Sequence, residues 1–220
     1  MLVLMNLGLI FMAYLIGSIP FGFLLVKIFT GQDVRKIESG RTGGTNSMRA
    51  AGFPIGAATT VLDILKSAGI IWLVKAISPD GFWLQVICGF FTVIGHNFSI
   101  YLIQKDSRGK WKIGGGAGGT PAIGAIIGLW WPSFLILIPA GFFIVMVIGY
   151  ASLATMSLPL IGSLIFLVRY LAGDQPWQYI FSGLLSEILI LWALRPNIHR
   201  LLSGNERIVG IRAKKKPSQE

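Results

Sequence analysis

Between residues 38 and 49 the chain reads Glu38-Ser39-Gly40-Arg41-Thr42-Gly43-Gly44-Thr45-Asn46-Ser47-Met48-Arg49, a run of glycines, hydroxyls and arginines suited to holding an anion. Glycines 40, 43 and 44 permit left-handed or closely approached backbone, so successive amides can form an anion-binding concavity. Ser39, Thr42, Thr45 and Asn46 add side-chain donors, and Arg49 adds a planar fork matched to phosphate. The same composition also fits a membrane re-entry turn capped by Thr45 or Asn46. A second cluster, Gly114-Gly115-Gly116-Ala117-Gly118-Gly119-Thr120, follows the cations Lys105, Arg108, Lys110 and Lys112. Its formal G-x-G-x-x-G match at 114, 116 and 119 has no βαβ unit around it and is not a dinucleotide signature. A glycine-rich helix start beside Lys110 and Lys112 is nonetheless a place for phosphate.

Both clusters lie between apolar runs. Over 220 residues the chain is 54% apolar, with a mean hydropathy of +0.71, far above the needs of a soluble core. Runs near the roughly 20 residues that cross a hydrocarbon core fall at 2–29, 54–76, 82–104, 114–131, 133–149, 152–172 and 177–195. Helices satisfy every backbone group internally, and the alternating segments of a membrane barrel are absent. The expected fold is an all-α integral membrane protein, a seven-helix transmembrane bundle. Residues 1–210 form one domain and 211–220 a basic cytoplasmic tail. The first run lacks a basic start and is followed by six more, so it reads as a retained helix and not a cleaved signal. No soluble domain, low-complexity linker or internal repeat is evident.

All but three of the 19 cations fall in or beside the first and third connections or the C-terminal segment. The preference of positive charge for the cytoplasm then puts the N-terminus outside and the C-terminus inside. The net charge of +10 is therefore no nucleic-acid signal, and Lys214-Lys215-Lys216 reads as a solvated run near anionic lipid. Trp130, Trp131 and Trp177 cluster at the expected outer edge, where amphipathic rings favour the interface.

Charges inside the runs are costly and need partners. Asp63 and Lys66, three apart on one helical face, read as a mutually neutralising pair. Glu187 has no evident sequence partner. His96, between Gly95 and Asn97 near the inner end of the third run, reads as a structural histidine, with the role of a base as the alternative. Cys88 has no disulfide partner, and His96 with His199 cannot build a zinc site, so no metal or other cofactor is expected.

Taken in order, Gly17-Ser18-Ile19-Pro20-Phe21-Gly22, Ser39-Gly40 with Gly43, Thr45-Asn46 and Arg49, Leu62-Asp63 with Leu65-Lys66, and Gly95-His96 with Phe98 resemble successive signatures of the PlsY-type membrane glycerol-3-phosphate acyltransferases. Asn197-Ile198 with Arg200-Leu201-Leu202, Gly204 and Glu206 resembles that family's C-terminal motif. The resemblance runs from about residue 13 to 210. It implies a seven-span, multi-pass protein of the cell (inner or cytoplasmic) membrane with its active site facing the cytoplasm. The implied reaction moves a fatty acyl group from acyl phosphate to the 1-hydroxyl of glycerol 3-phosphate, giving lysophosphatidic acid and phosphate in phospholipid biosynthesis. No cofactor is implied, and the partners are the two substrates and membrane lipid. Carried over by position, catalytic parts go to Ser39, Asn46 and Lys110. Substrate and phosphate contacts go to Gly40, Thr45, Arg49, Arg108, Gly115, Gly116, Ser152, Asn197 and Glu206, with Thr155 beside the same pocket. Asp63, Lys66 and His96 support them.

The chain departs from the family pattern at residues of the site. The histidine three positions before the final Asn-Ile is Leu194 here. The Gly-Gly-Lys-Gly signature is broken: aligned on glycines its lysine becomes Ala117, whereas counting from His96 brings Arg108 or Lys110 to the expected place. Arg41 stands for the asparagine that often follows Ser-Gly, and Gly149 for an arginine before Ser152. Three readings follow. In the first, Arg41, Arg108, Lys110 and Lys112 replace the missing cations and the chain is an acyltransferase. In the second, it is a divergent paralogue, weakly active or non-catalytic, that binds phospholipid or phosphate. In the third, suggested by Asp63, Lys66 and Glu187, it transports a small anion or lipid.

Overall fold

The computed structural model describes residues 1–105 and 108–213; the Lys214–Lys216 run lies outside them. The first apolar run is a rod in two pieces, α1 (Leu2–Ser18) and α2 (Phe21–Thr30), broken at Pro20, which has no N–H to continue the ladder. A short amphipathic helix, α3 (Gly44–Ala51), precedes α4 (Phe53–Ile77), whose start carries Pro54 in the first turn, where a missing N–H costs nothing. Next come α5 (Phe82–Asn97) and a hairpin of β1 (Ile103–Lys105) and β2 (Trp111–Ile113), antiparallel with Ile103 opposite Ile113 and Lys105 opposite Trp111. Then follow α6 (Gly119–Leu129), α7 (Phe134–Phe143) running on into a π turn at Ile144–Ile148, α8 (Ala151–Leu171), α9 (Ile180–Ala193) and α10 (Arg195–Leu202).

The helices pack chiefly as α1 on α5, α4 on α6 and α8 on α9. Small residues set these distances, as expected where lipid supplies no hydrophobic drive between helices. At the α1–α5 crossing a Cβ on Gly17 would collide with the Thr92 carbonyl, and one on Gly95 with the Tyr14 carbonyl. Ile71, Val74, Ile126, Leu129, Leu137 and Phe166 fill the centre, while Leu4, Phe11, Leu135, Phe142, Leu164 and Leu171 are bare on the outside. The exposed apolar belt is the face a bilayer covers.

Among the described residues five helical segments are long and apolar enough to cross a membrane, six when the bent pair Trp177–Ala193 and Arg195–Leu202 is counted as one span. The run read as 114–131 differs from the sequence expectation. Its helix, α6, begins only at Gly119 and has 11 residues, about 16 Å of rise against a core of about 30 Å. Residues 114–118 are non-helical, and such backbone is tolerated at membrane depth only inside protein. All of α6 except Thr120 is buried among its neighbours. At its far end the Lys75 ammonium donates to the Leu129 carbonyl at 2.7 Å, the right charge for a helix C-terminus. Of the tryptophans expected at the outer edge, Trp131 and Trp177 are partly exposed, and Trp130 lies 4.0 Å beneath the Arg169 guanidinium.

Candidate functional site

Loop 31–43 is folded around one side chain. The buried Asn46 amide nitrogen, in the first turn of α3, donates to the carbonyls of Val34 (3.1 Å), Ile37 (3.0 Å) and Arg41 (2.9 Å). The loop turns through positive φ at Glu38 (47°) and Gly40 (67°), the latter a conformation that glycine adopts without strain. The Thr42 N–H donates to the Gly115 carbonyl at 3.2 Å, joining the two glycine clusters. Gly116 in turn donates from its N–H to the His96 carbonyl at 2.8 Å.

Against this loop, the C-terminal end of α5, the starts of α6 and α8 and the α9–α10 corner enclose a polar cavity of about 290 Å³. Ser39, Thr45, Asn46, Arg49, His96, Ser152, Thr155, Asn197 and Glu206, all named from the sequence, line it. Gly40, Gly115 and Gly116 stand behind the lining and hold the loops together. Arg108 and Lys110 belong to the hairpin turn and do not line the cavity, whereas Ala117 does. Asn46 has the geometry of a brace for the loop, because its donors are spent on backbone carbonyls.

The lining also includes Glu38, Arg41, Leu194, Arg200 and Arg207, to which the sequence reading gave no contact role apart from the compensating charge of Arg41. Arg41 reaches across the cavity: one guanidinium nitrogen donates to Asn197 Oδ1 at 2.9 Å and another to the Ala193 carbonyl, beside Leu194. Asn197 passes the contact on, its Nδ2 donating to Glu206 Oε1 at 2.8 Å. Glu206 also accepts from Ser152 Oγ at 2.8 Å and from Arg200 Nε at 2.9 Å. Burial alone would raise this carboxyl, but the hydrogen bonds from Asn197, Ser152 and Arg200 hold it below the usual glutamate range. Arg207 pairs with Glu38 at 2.8 Å at the cavity mouth. The Asn-x-x-Arg spacing puts Asn197 and Arg200 on one face of α10, and the left-handed turn at Gly204 returns Glu206 to them.

Four guanidiniums thus face two carboxylates, an excess of two positive charges. Arg41 is lowered from its ordinary value by burial and by Arg200, and Arg49 by burial and by Arg207. Guanidiniums do not deprotonate in proteins, so the excess charge makes the cavity a favourable place for an anion.

Beneath the cavity floor, Asp63 and Lys66 form the pair their spacing suggested, Nζ to Oδ1 at 2.6 Å, both buried. Lys66 Nζ also donates to the Ile19 carbonyl at 2.9 Å and lies 3.1 Å from His96 Nδ1. Glu187 is buried in α9, and its Oε2 has no hydrogen-bond partner among the described residues.

A family model described as glycerol-3-phosphate acyltransferase matches residues 7–204. Glycerol-3-phosphate acyltransferase of Prochlorococcus marinus (strain NATL2A) is 34% identical over 208 residues, covering 94% of this chain and 99% of that protein. The protein of the same description from Thermosipho melanesiensis is 37% identical over 198 residues, covering 90% of each. Among solved structures, the crystal structure of PlsY, an integral membrane glycerol 3-phosphate acyltransferase, in its glycerol 3-phosphate form superimposes with a TM-score of 0.77 at 30% identity, covering 93% of this chain and 96% of that one. The lysophosphatidic acid form gives 0.76 at 28% identity, with 93% and 95% covered.

Proposed function

From the premise that this chain belongs to the glycerol-3-phosphate acyltransferase family, we propose that it transfers a fatty acyl group from acyl phosphate to the 1-hydroxyl of glycerol 3-phosphate. The observation that carries the reading is the cavity in which four arginines outnumber two carboxylates, enclosed by helices with apolar outer faces. Both substrates bear phosphate and one bears a long chain. The acceptor oxygen attacks the acyl carbonyl carbon, the bond from that carbon to the phosphate oxygen breaks, and the hydroxyl proton leaves with the phosphate. The products are lysophosphatidic acid and inorganic phosphate.

Acyl phosphate is already activated, so the protein's contribution is alignment and charge stabilisation. Arg49, Ser39 and Thr45 hold the phosphate of the acceptor, with Gly40 behind them turning the loop. Arg41, Arg200 and Asn197 face it from the α9–α10 side, with Ser152 and Glu206 fixing that wall. Asn46 shapes the loop. Lys110 and Arg108 act, in this reading, from the hairpin as attractive charge and not by contact. An orientation with the N-terminus outside and the cavity opening to the cytoplasm is supported by Arg41, Arg49, Arg200 and Arg207 lining the cavity and by the concentration of cations in the connections that carry it. Residues 1–210 work as one domain in a cell membrane.

Purified protein in lipid, given palmitoyl phosphate and glycerol 3-phosphate, is expected to form lysophosphatidic acid and phosphate, with Arg49→Ala lowering kcat/KM for glycerol 3-phosphate roughly 10- to 100-fold, as for a lost hydrogen bond to a charged group. An equal kcat/KM in the variant removes the assigned site. A second reading, a binding-only paralogue, draws on Ala117 and Leu194, apolar linings where the family signature has lysine and histidine. It is favoured if folded protein binds glycerol 3-phosphate but turns over no donor.

A further inference from the structure

We infer that His96 is held by Lys66 as the Nε2–H tautomer and presents that N–H as a hydrogen-bond donor to an anionic oxygen of the ligand in the cavity; this rests on the acyl-transfer reading above. An ammonium has three N–H groups and no acceptor. Around Lys66 Nζ stand the ion-paired Asp63 Oδ1 at 2.6 Å, the Ile19 carbonyl, hydrogen-bonded at 2.9 Å, and, third, His96 Nδ1 at 3.1 Å. The third bond requires a lone pair on Nδ1. A proton there would point at the ammonium instead. Nor can the carboxylate claim such a proton, since Asp63 Oδ1 lies 3.5 Å from Nδ1, beyond a good hydrogen bond. The ring's one proton is therefore on Nε2.

The opposite edge of the ring is cleared for that N–H. Gly116 sits against it, and a Cβ at this position would occupy the space of Nε2 itself. No hydrogen bond joins Nε2 to any described residue, and His96 lines the cavity beside Ala117, Gly118 and Gly119. With Nε2 already protonated, the imidazole cannot take the proton of an attacking hydroxyl. Its chemistry is that of a neutral electrophile, stabilising negative charge on the carbonyl oxygen or on the leaving phosphate.

The chain has two histidines, so ¹⁵N-histidine labelling in lipid gives two imidazoles, assigned with His199→Gln. The expected spectrum has an unprotonated Nδ1 and a protonated Nε2 for His96, with Lys66→Met mixing the tautomers. A proton on Nδ1 in the parent protein overturns the inference, and this readout needs no turnover, so it stands apart from failure of the acyl-transfer reading. In kinetics, His96→Gln, whose amide nitrogen can occupy the Nε2 position, should retain turnover within about 10-fold. His96→Leu should lose roughly 10²–10³ in kcat with little change in KM for glycerol 3-phosphate. Parental kcat in His96→Leu, or a loss confined to KM, overturns the donor role. Turnover in His96→Gln as low as in His96→Leu, with both variants folded, does so as well.

Discussion

Replacing Asn46 by alanine removes the amide that three loop carbonyls share: the carbonyl of Arg41 loses its donor, while those of Val34 and Ile37 keep the N–H groups of Ile37 and Gly40. A buried acceptor without a donor costs about 1–3 kcal/mol, so Asn46→Ala should lower the midpoint of thermal unfolding by several degrees. Asn46→Asp should be worse, because a carboxylate offers those carbonyls only acceptors; a parental midpoint in either variant would show that the loop is held elsewhere. At this scale the sequence was readable where chemistry is local. Ser39, Thr45, Asn46 and Arg49 stand within one loop and helix, and their glycine and hydroxyl company marked them. Arg41, Arg200 and Arg207 were harder to read. Composition counts cations, but which cation turns inward depends on partners far along the chain, and Arg41 meets Asn197 across 156 positions.

The helices impose the geometry that these side chains use, and glycine sets how closely they approach. At the α1–α5 crossing Gly95 rests on the backbone of Tyr14 and Ser18, one turn or less from His96 and two residues from Asn97. Gly95→Val should separate the two helices and cost more than the roughly 1–3 kcal/mol of an ordinary overpacked core site, read as loss of folded protein in detergent. Gly8→Ala on α1, which meets nothing within 4 Å, is the matched control and should leave the yield unchanged. Among the described residues, six of the seven apolar runs hold helix long enough to cross a membrane when the bent α9–α10 pair is taken as one, because continuous hydrophobicity is a strong signal. The fourth was overextended at its start: glycine has no side chain, so a glycine run beside apolar residues passes for membrane span although residues 114–118 make a non-helical approach to α6. The π turn at Ile144–Ile148 was equally hidden, since Gly210 of the chain's far end rests on its carbonyls.

Across the whole molecule, residues 203–213 work as a strap that ties the last helix to earlier ones. Glu206 bonds Ser152 of α8, the Val209 N–H donates to the Gly149 carbonyl, and Arg212 donates to the Ile148 carbonyl at 2.7 Å. The folded state holds the Glu206 carboxyl below its ordinary range, so its contribution is present above the unfolded pKa and is lost as pH falls through the folded one. The stability gap between parent and Glu206→Gln should therefore be constant near neutrality and shrink on acidification below about pH 4, followed by thermal unfolding at a series of pH values; a gap independent of pH would remove the ionised strap. The clustering of cations toward one membrane face was legible from sequence. The strap's contacts were not, because they join segments that share no periodicity.

The same reach of Arg41 to Asn197 and Ala193 fixes an order of events during biosynthesis. The arginine loop leaves the ribosome about 150 residues before the corner that receives it, and translation at about 5–20 residues per second makes that an interval of roughly eight to thirty seconds. During it α1 to α8 can insert and pack, while the guanidiniums of the loop wait without their carboxylate and amide counterparts. A nascent chain halted before Asn197 is therefore a membrane-embedded protein with most of its core and one wall of the cavity, and the opposite wall arrives together with Asn197, Arg200 and Glu206.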